Sequence, residues 1–141
     1  MNPFLATTPT RWMLVDDNEN ILLMLSAILA SQTAATIECY SSPRAALAAF
    51  REAPEAYELV ITDFEMPNMN GMQLCDQLRA IVPAQKIILA TGSGFFTETS
   101  ARRAGFCALL DKPFPLPLLK ATLARTLGLS AEKFSTELVA A

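Results

Sequence analysis

The chain has 141 residues, 52% of them apolar and 18% charged, which fits one folded domain and excludes a disordered segment. Eleven Lys and Arg against fourteen Asp and Glu leave a net charge of −3, so no broad basic face and no direct nucleic-acid partner are expected. There is no histidine, which excludes His-ligated metals, Ser-His catalytic pairs and histidine pH switches.

Short apolar runs alternate with longer amphipathic ones. Trp12-Met13-Leu14-Val15 has the length of a strand and stops at Asp16-Asp17. From Asn18, placed to cap it, a helix carries Leu22, Leu25, Ile28 and Leu29 on one face. Thr36 to Tyr40 reads as a second strand, and Ser42-Pro43 opens a helix through Phe50. Leu59-Val60-Ile61-Thr62 is a third strand ending at Asp63. The segment Phe64 to Gly71 is a loop by composition, and Gly71 leads into a helix with Leu74, Leu78 and Ile81 inward, ended by Pro83. Ile87 to Ala90 is a fourth strand, followed by Thr91-Gly92-Ser93-Gly94. Phe95 and Phe96 are expected to open a short fourth helix that reaches Ala104, with Gly105 as C-cap. Phe106 to Leu110 forms a fifth strand broken at Asp111-Lys112-Pro113, and a last helix carries Leu116, Leu119, Leu123 and Leu127 up to Gly128.

Five strands alternate with five helices, and the strands read as continuous apolar runs because both of their faces are covered. That is the pattern of a parallel sheet with helices on both faces, an α/β fold. Residues 1–10 are read as an N-terminal extension, 11–128 as the domain, and 129–141 as a tail or linker stub. No output domain is expected within these residues. Cys39, Cys75 and Cys107 form no C-x-x-C pair and are expected as buried, reduced thiols of a cytoplasmic protein. The longest nearly apolar run, Ile21 to Ala30, is too short for a membrane span of about 20 residues. The first residues lack a signal peptide's basic start and apolar centre.

In an open parallel sheet, sites form outside the carboxyl ends of the strands. Asp16 and Asp17 follow the first strand, Asp63 the third, Thr91 the fourth and Lys112 the fifth. Singly, each has an ordinary reading as a helix cap, a turn residue or a solvated charge. Those readings give no reason for all of them to meet at one edge. Carboxylates about 4 Å apart repel by about 4 kcal/mol per pair at an effective dielectric near 20, so the cluster calls for a cation. Mg²⁺ suits an all-oxygen site. A carboxylate beside Mg²⁺, with a hydroxyl and an ammonium nearby, has the parts for phosphoryl transfer to an Asp nucleophile.

Over Arg11 to about Gly128 the sequence resembles the receiver domain of bacterial two-component response regulators. The resemblance is carried by LVDD at 14–17, VITDFEMPNMNG at 60–71, ILATG at 88–92 and DKPF at 111–114. It implies a flavodoxin-like (βα)5 sandwich. It also implies that Asp63 is the phosphoacceptor, taking its phosphoryl group from a phosphohistidine on a sensor histidine kinase or phosphotransfer protein. Asp17, Asp63 and the backbone carbonyl of Glu65 would bind Mg²⁺ directly, and Asp16 largely through water. Lys112 would pair with Asp63 across a cis bond to Pro113, and Thr91 would swing to the phosphoryl group.

The sequence departs from the family where an aromatic often precedes the lysine by three residues: Leu109 stands there. Gly92 replaces a common Ala, and Glu65 is placed to alter the lifetime of an aspartyl phosphate. Phe95 and Phe96 read either as core or cap packing or as part of a partner or homodimer surface around the fourth helix, fifth strand and fifth helix, with Arg102 and Arg103 either solvated or its rim charges. Three function classes remain in view. One is a phosphorylation switch without turnover of an external substrate. The second is a phosphatase of the haloacid-dehalogenase type, suggested by Asp63-x-Glu65. The third is a phosphate-independent scaffold.

Overall fold

The computed structural model describes residues 10–129. Most of the N-terminal extension and of the expected tail lies outside the described residues. The elements run β1 (Arg11–Val15), α1 (Glu19–Ala30), β2 (Thr36–Tyr40), α2 (Pro43–Glu52), β3 (Tyr57–Thr62), α3 (Gly71–Ile81), β4 (Ile87–Thr91), α4 (Glu98–Arg103), β5 (Ala108–Asp111) and α5 (Leu116–Leu127). All neighbouring strands pair in parallel, in the order β2-β1-β3-β4-β5. The chain leaves β1 toward β2 and then returns to β1's other side with β3. That reversal opens a crevice between the carboxyl ends of β1 and β3.

Successive strand residues point to opposite faces, so the sheet carries two cores. Met13, Val15, Val60 and Leu89 pack beneath Leu47 and Phe50 of α2 and Leu74 and Leu78 of α3. Trp12, Leu14, Ile61 and Ile88 pack beneath Leu22, Leu25 and Leu29 of α1 and Leu119 and Leu123 of α5. Local chemistry sets the helix ends. The Asn18 side chain accepts the N–H groups of Asn20 and Ile21, and Ser42 caps α2 with Pro43 at its first position. Gly128 ends α5 at φ 70°.

Three expectations need correction. Phe95 and Phe96 do not open α4, because Thr97 and Ser100 form a reciprocal capping box that starts the helix at Glu98. β5 begins at Ala108, after Phe106 and Cys107 have served as its lead-in, and it includes Asp111. Only Cys75 is fully buried: Cys39 is exposed on the edge strand β2, and Cys107 is half-buried.

Candidate functional site

β1 and β3 end side by side, and the Asp63 N–H donates to the Val15 carbonyl at 2.9 Å. That bond carries the β1–β3 ladder one residue further and brings the two acidic turns together. One carboxylate oxygen from each of Asp16, Asp17 and Asp63 lies within 4.8 Å of the others. Asp16 is buried, Asp63 half-buried and Asp17 exposed. Glu65, Thr91 and Lys112 line the same cleft. All of the residues singled out at the strand ends are thus brought to one edge.

The hydrogen bonds divide the carboxylate oxygens. Asp16 Oδ1 accepts the Asn18 N–H at 2.9 Å, and Asp16 Oδ2 accepts from Lys112 Nζ at 2.5 Å. Asp63 Oδ1 accepts the Phe64 N–H at 2.8 Å and lies 3.8 Å from Lys112 Nζ. The ammonium expected on Asp63 therefore makes its shorter contact with Asp16, whose Oδ2 takes up the ammonium while Oδ1 is held by a backbone donor. The Lys112–Pro113 bond is cis. Burial raises the Asp63 carboxyl above its usual value, and the Asp16 charge adds to this. Lys112, the Phe64 N–H and Thr91 oppose it.

Gly71 holds the acceptor loop closed. Its N–H donates to the Phe64 carbonyl at 2.8 Å, and α3 begins against the backbone of Asp63. A Cβ at Gly71 would overlap the Asp63 carbonyl oxygen and stand 3.1 Å from both the Asp63 carbonyl carbon and Phe64 Cα. Within the loop Asn68 takes φ 72°, which Asn tolerates better than most residues.

Aromatic rings connect the acceptor loop to the loop after Thr91. Phe64 stacks on Phe95 at 5.8 Å between centroids and meets Phe96 edge-on at 4.9 Å, and Phe96 continues to Phe106. Phe95 is 73% exposed, whereas Phe96 is buried. Leu109 is buried under this face. Sequence reasoning missed Glu98. Its Oε2 accepts the Leu109 N–H at 3.1 Å, and its Oε1 lies 3.2 Å from Arg102 Nε and 3.4 Å from Arg125 Nη2. One carboxylate thereby ties α4, β5 and α5 together. No motif marks it, because the contact depends on how α5 returns past β5.

Hard oxygen donors from three carboxylates suit a divalent cation such as Mg²⁺ better than a soft metal, and the donor set fits. Among the described residues, no helix is long and apolar enough to cross a membrane.

The family model for the response regulator receiver domain matches residues 13–124. The regulatory protein AtoC of Escherichia coli (strain K12) is 31% identical over 128 residues, covering 90% of this chain, which spans 27% of AtoC's length. A response regulator receiver domain from Clostridium thermocellum superposes with a TM-score of 0.77 at 25% identity, covering 84% of this chain and 94% of that one. The response regulator TrrA of Thermotoga maritima, solved in complex with Mg(2+)-BeF, superposes with a TM-score of 0.74 at 28% identity. The overlap covers 84% of this chain and 99% of TrrA.

Proposed function

The chain belongs to the response regulator receiver domain family, a family of signalling domains, and from that premise we propose that Asp63 accepts a phosphoryl group from a phosphohistidine on a sensor histidine kinase or phosphotransfer protein. The observation that carries the reading is the convergence of Asp16, Asp17 and Asp63 within 4.8 Å, beside the Lys112 ammonium.

Asp63 is the nucleophile. Its Oδ1 is held by the Phe64 N–H, which leaves Oδ2 to attack phosphorus. An O–P bond forms as the donor's N–P bond breaks, and the electron pair stays on the imidazole nitrogen. Lys112 is already poised between Asp16 and Asp63 and stabilises charge on a phosphoryl oxygen. Thr91, at the end of β4, donates its hydroxyl to another such oxygen. Asp16, Asp17, Asp63 and the Glu65 carbonyl are the groups that would hold Mg²⁺, which when bound offsets negative charge on the phosphoryl oxygens.

The new dianion draws Thr91 and its loop inward and biases the face of α4, β5 and α5. A homodimer or output partner would dock on that face. We read the domain as a cytoplasmic switch that takes one phosphoryl group and loses it by its own hydrolysis, with no other turnover.

Incubation with acetyl phosphate and Mg²⁺, followed by intact mass measurement, tests the reading. The parent should gain one phosphoryl group, chelation should prevent it, and Asp63→Ala should gain none. Equal labelling of Asp63→Ala would overturn the assignment.

A further inference from the structure

The proposed reaction needs the Asp63 carboxylate and the Thr91 hydroxyl held still, and both open onto loops. One residue of the loop between β4 and α4 touches the supports of both. The Phe95 ring stacks on the Phe64 ring, with centroids 5.8 Å apart and planes 9° from parallel. The Phe64 N–H in turn donates to Asp63 Oδ1 at 2.8 Å. Through its backbone, Phe95 reaches the other group: its N–H donates to Ser93 Oγ at 3.2 Å, and the Ser93 N–H donates to Thr91 Oγ1 at 3.4 Å.

We propose that Phe95 is a positioning residue for phosphoryl transfer. Its ring clamps the loop after β4 onto the acceptor loop, and so keeps Asp63 Oδ2 and the Thr91 hydroxyl aimed at the same phosphoryl group. The inference rests on Asp63 being the phosphoacceptor.

Burial does not explain where this ring sits. Phe95 is 73% exposed, whereas Phe96 is buried and packs in the core that α2 and α3 cover. Ring–ring electrostatics favour offset-stacked and edge-to-face pairs beyond the area they bury, and the cluster shows both. Phe64 meets Phe96 edge-on at 4.9 Å, and Phe95 meets Phe96 at 5.3 Å and 67°. The three rings fix one another, and the most exposed of them is Phe95.

Each path ends on chemistry. A backbone donor on Asp63 Oδ1 restrains rotation of the carboxylate and leaves Oδ2 for phosphorus. The Thr91 hydroxyl accepts the Ser93 N–H, so its own hydrogen stays free to donate to a phosphoryl oxygen. A misplacement of about 1 Å can cost about a hundredfold in rate. Losing one stacked ring loosens the two loops without displacing them, so a smaller effect of about threefold to tenfold is expected.

The test compares the parent with Phe95→Ala, which removes the ring, and Phe95→Tyr, which keeps it. Amide hydrogen exchange is read first, residue by residue, on the phosphate-free protein. The Phe64 and Ser93 N–H groups should exchange about threefold to tenfold faster in Phe95→Ala and at the parent's rate in Phe95→Tyr. Labelling by acetyl phosphate and Mg²⁺ is then followed by intact mass, and it should slow by a similar factor in Phe95→Ala alone. Because the ring is mostly exposed, the urea midpoints should stay close together, which separates lost rate from lost fold. A ring that served only a partner's surface would leave exchange and labelling at the parent's values, and that result would overturn the proposal. Faster exchange with unchanged labelling would refute the positioning role while leaving the clamp. A parent that takes no phosphoryl group would instead sink the phosphoacceptor reading and the positioning role with it, and exchange would still decide the clamp.

Discussion

Replacing Gly71 with alanine sets two opposing effects against each other at one atom. Gly71 is the first residue of α3 and its φ is not in the left-handed region, so backbone preference favours alanine. Restricting the unfolded chain alone would stabilise the protein by about 0.4–1 kcal/mol. The surroundings point the other way. The added methyl would overlap the Asp63 carbonyl oxygen and press at 3.1 Å on two further backbone atoms. These are main-chain atoms held by the Asp63–Val15 and Gly71–Phe64 bonds, so no flexible side chain can yield. Overpacking of this kind costs about 1–3 kcal/mol, which leaves a net loss of about 1–2 kcal/mol. With a urea slope of about 1–3 kcal/mol/M, the unfolding midpoint should fall by about 0.3–2 M. Because the atom displaced belongs to Asp63, labelling by acetyl phosphate should slow as well. Gly92→Ala is the internal control. Its methyl would meet only Lys112 Cβ at 3.6 Å and Lys112 O at 3.7 Å, both ordinary contacts, so it should not destabilise. A Gly71→Ala protein as stable as its parent would refute the close approach of α3 to Asp63.

Three other outcomes follow. Glu65 stands exposed at the rim of the cleft, where its carboxylate can accept from the water that attacks the phosphoryl group. Glu65→Ala should therefore lengthen the phosphoryl lifetime about 3–10-fold, the equivalent of ~0.7–1.4 kcal/mol, and equal decay rates would contradict that role. Tyr40 and Tyr57 both donate to Glu38 Oε1, at 2.9 and 2.7 Å, and burial and this hydrogen bond raise both phenols above 10.0. Their protonated forms are favoured by folding, so the stability they add is complete below pH 10 and is lost as pH rises above it. Urea unfolding of the parent should weaken from pH 10 upward, and Glu38→Gln should flatten that decline. Glu98→Ala should cost about 1–3 kcal/mol, chiefly because the part-buried Leu109 N–H loses its acceptor, and high salt should shrink only the smaller share owed to its two half-exposed arginine pairs.

The order of elements was legible because β1, β3, β4 and β5 are covered on both faces and read as largely apolar runs, while the edge strand β2 shows only a partial alternation, with Gly or Pro marking the turns. The meeting of Asp16, Asp17, Asp63, Thr91 and Lys112 was legible for a related reason. In a parallel sheet every strand ends at the same edge, so residues just past those ends converge whatever the helices do. Features set by a choice between neighbouring atoms were not legible. That Lys112 makes its shorter contact with Asp16 and its longer one with Asp63 depends on atomic placement that spacing does not carry. The start of α4 was written in the sequence as Thr97 and Ser100, yet the adjacent Phe95 and Phe96 gave a stronger apolar signal. Their rings pack on Phe64 rather than on a helix of their own. Cys39 was misjudged because composition does not show that β2 is an edge strand.

The central claim is that one carboxylate among three crowded neighbours receives the phosphoryl group. Borohydride reduction of the acetyl phosphate-treated protein converts a phosphorylated carboxyl to an alcohol, and peptide mass spectrometry locates it. The account predicts a single reduced residue at position 63. Reduction at Asp16 or Asp17, with position 63 intact, would contradict it.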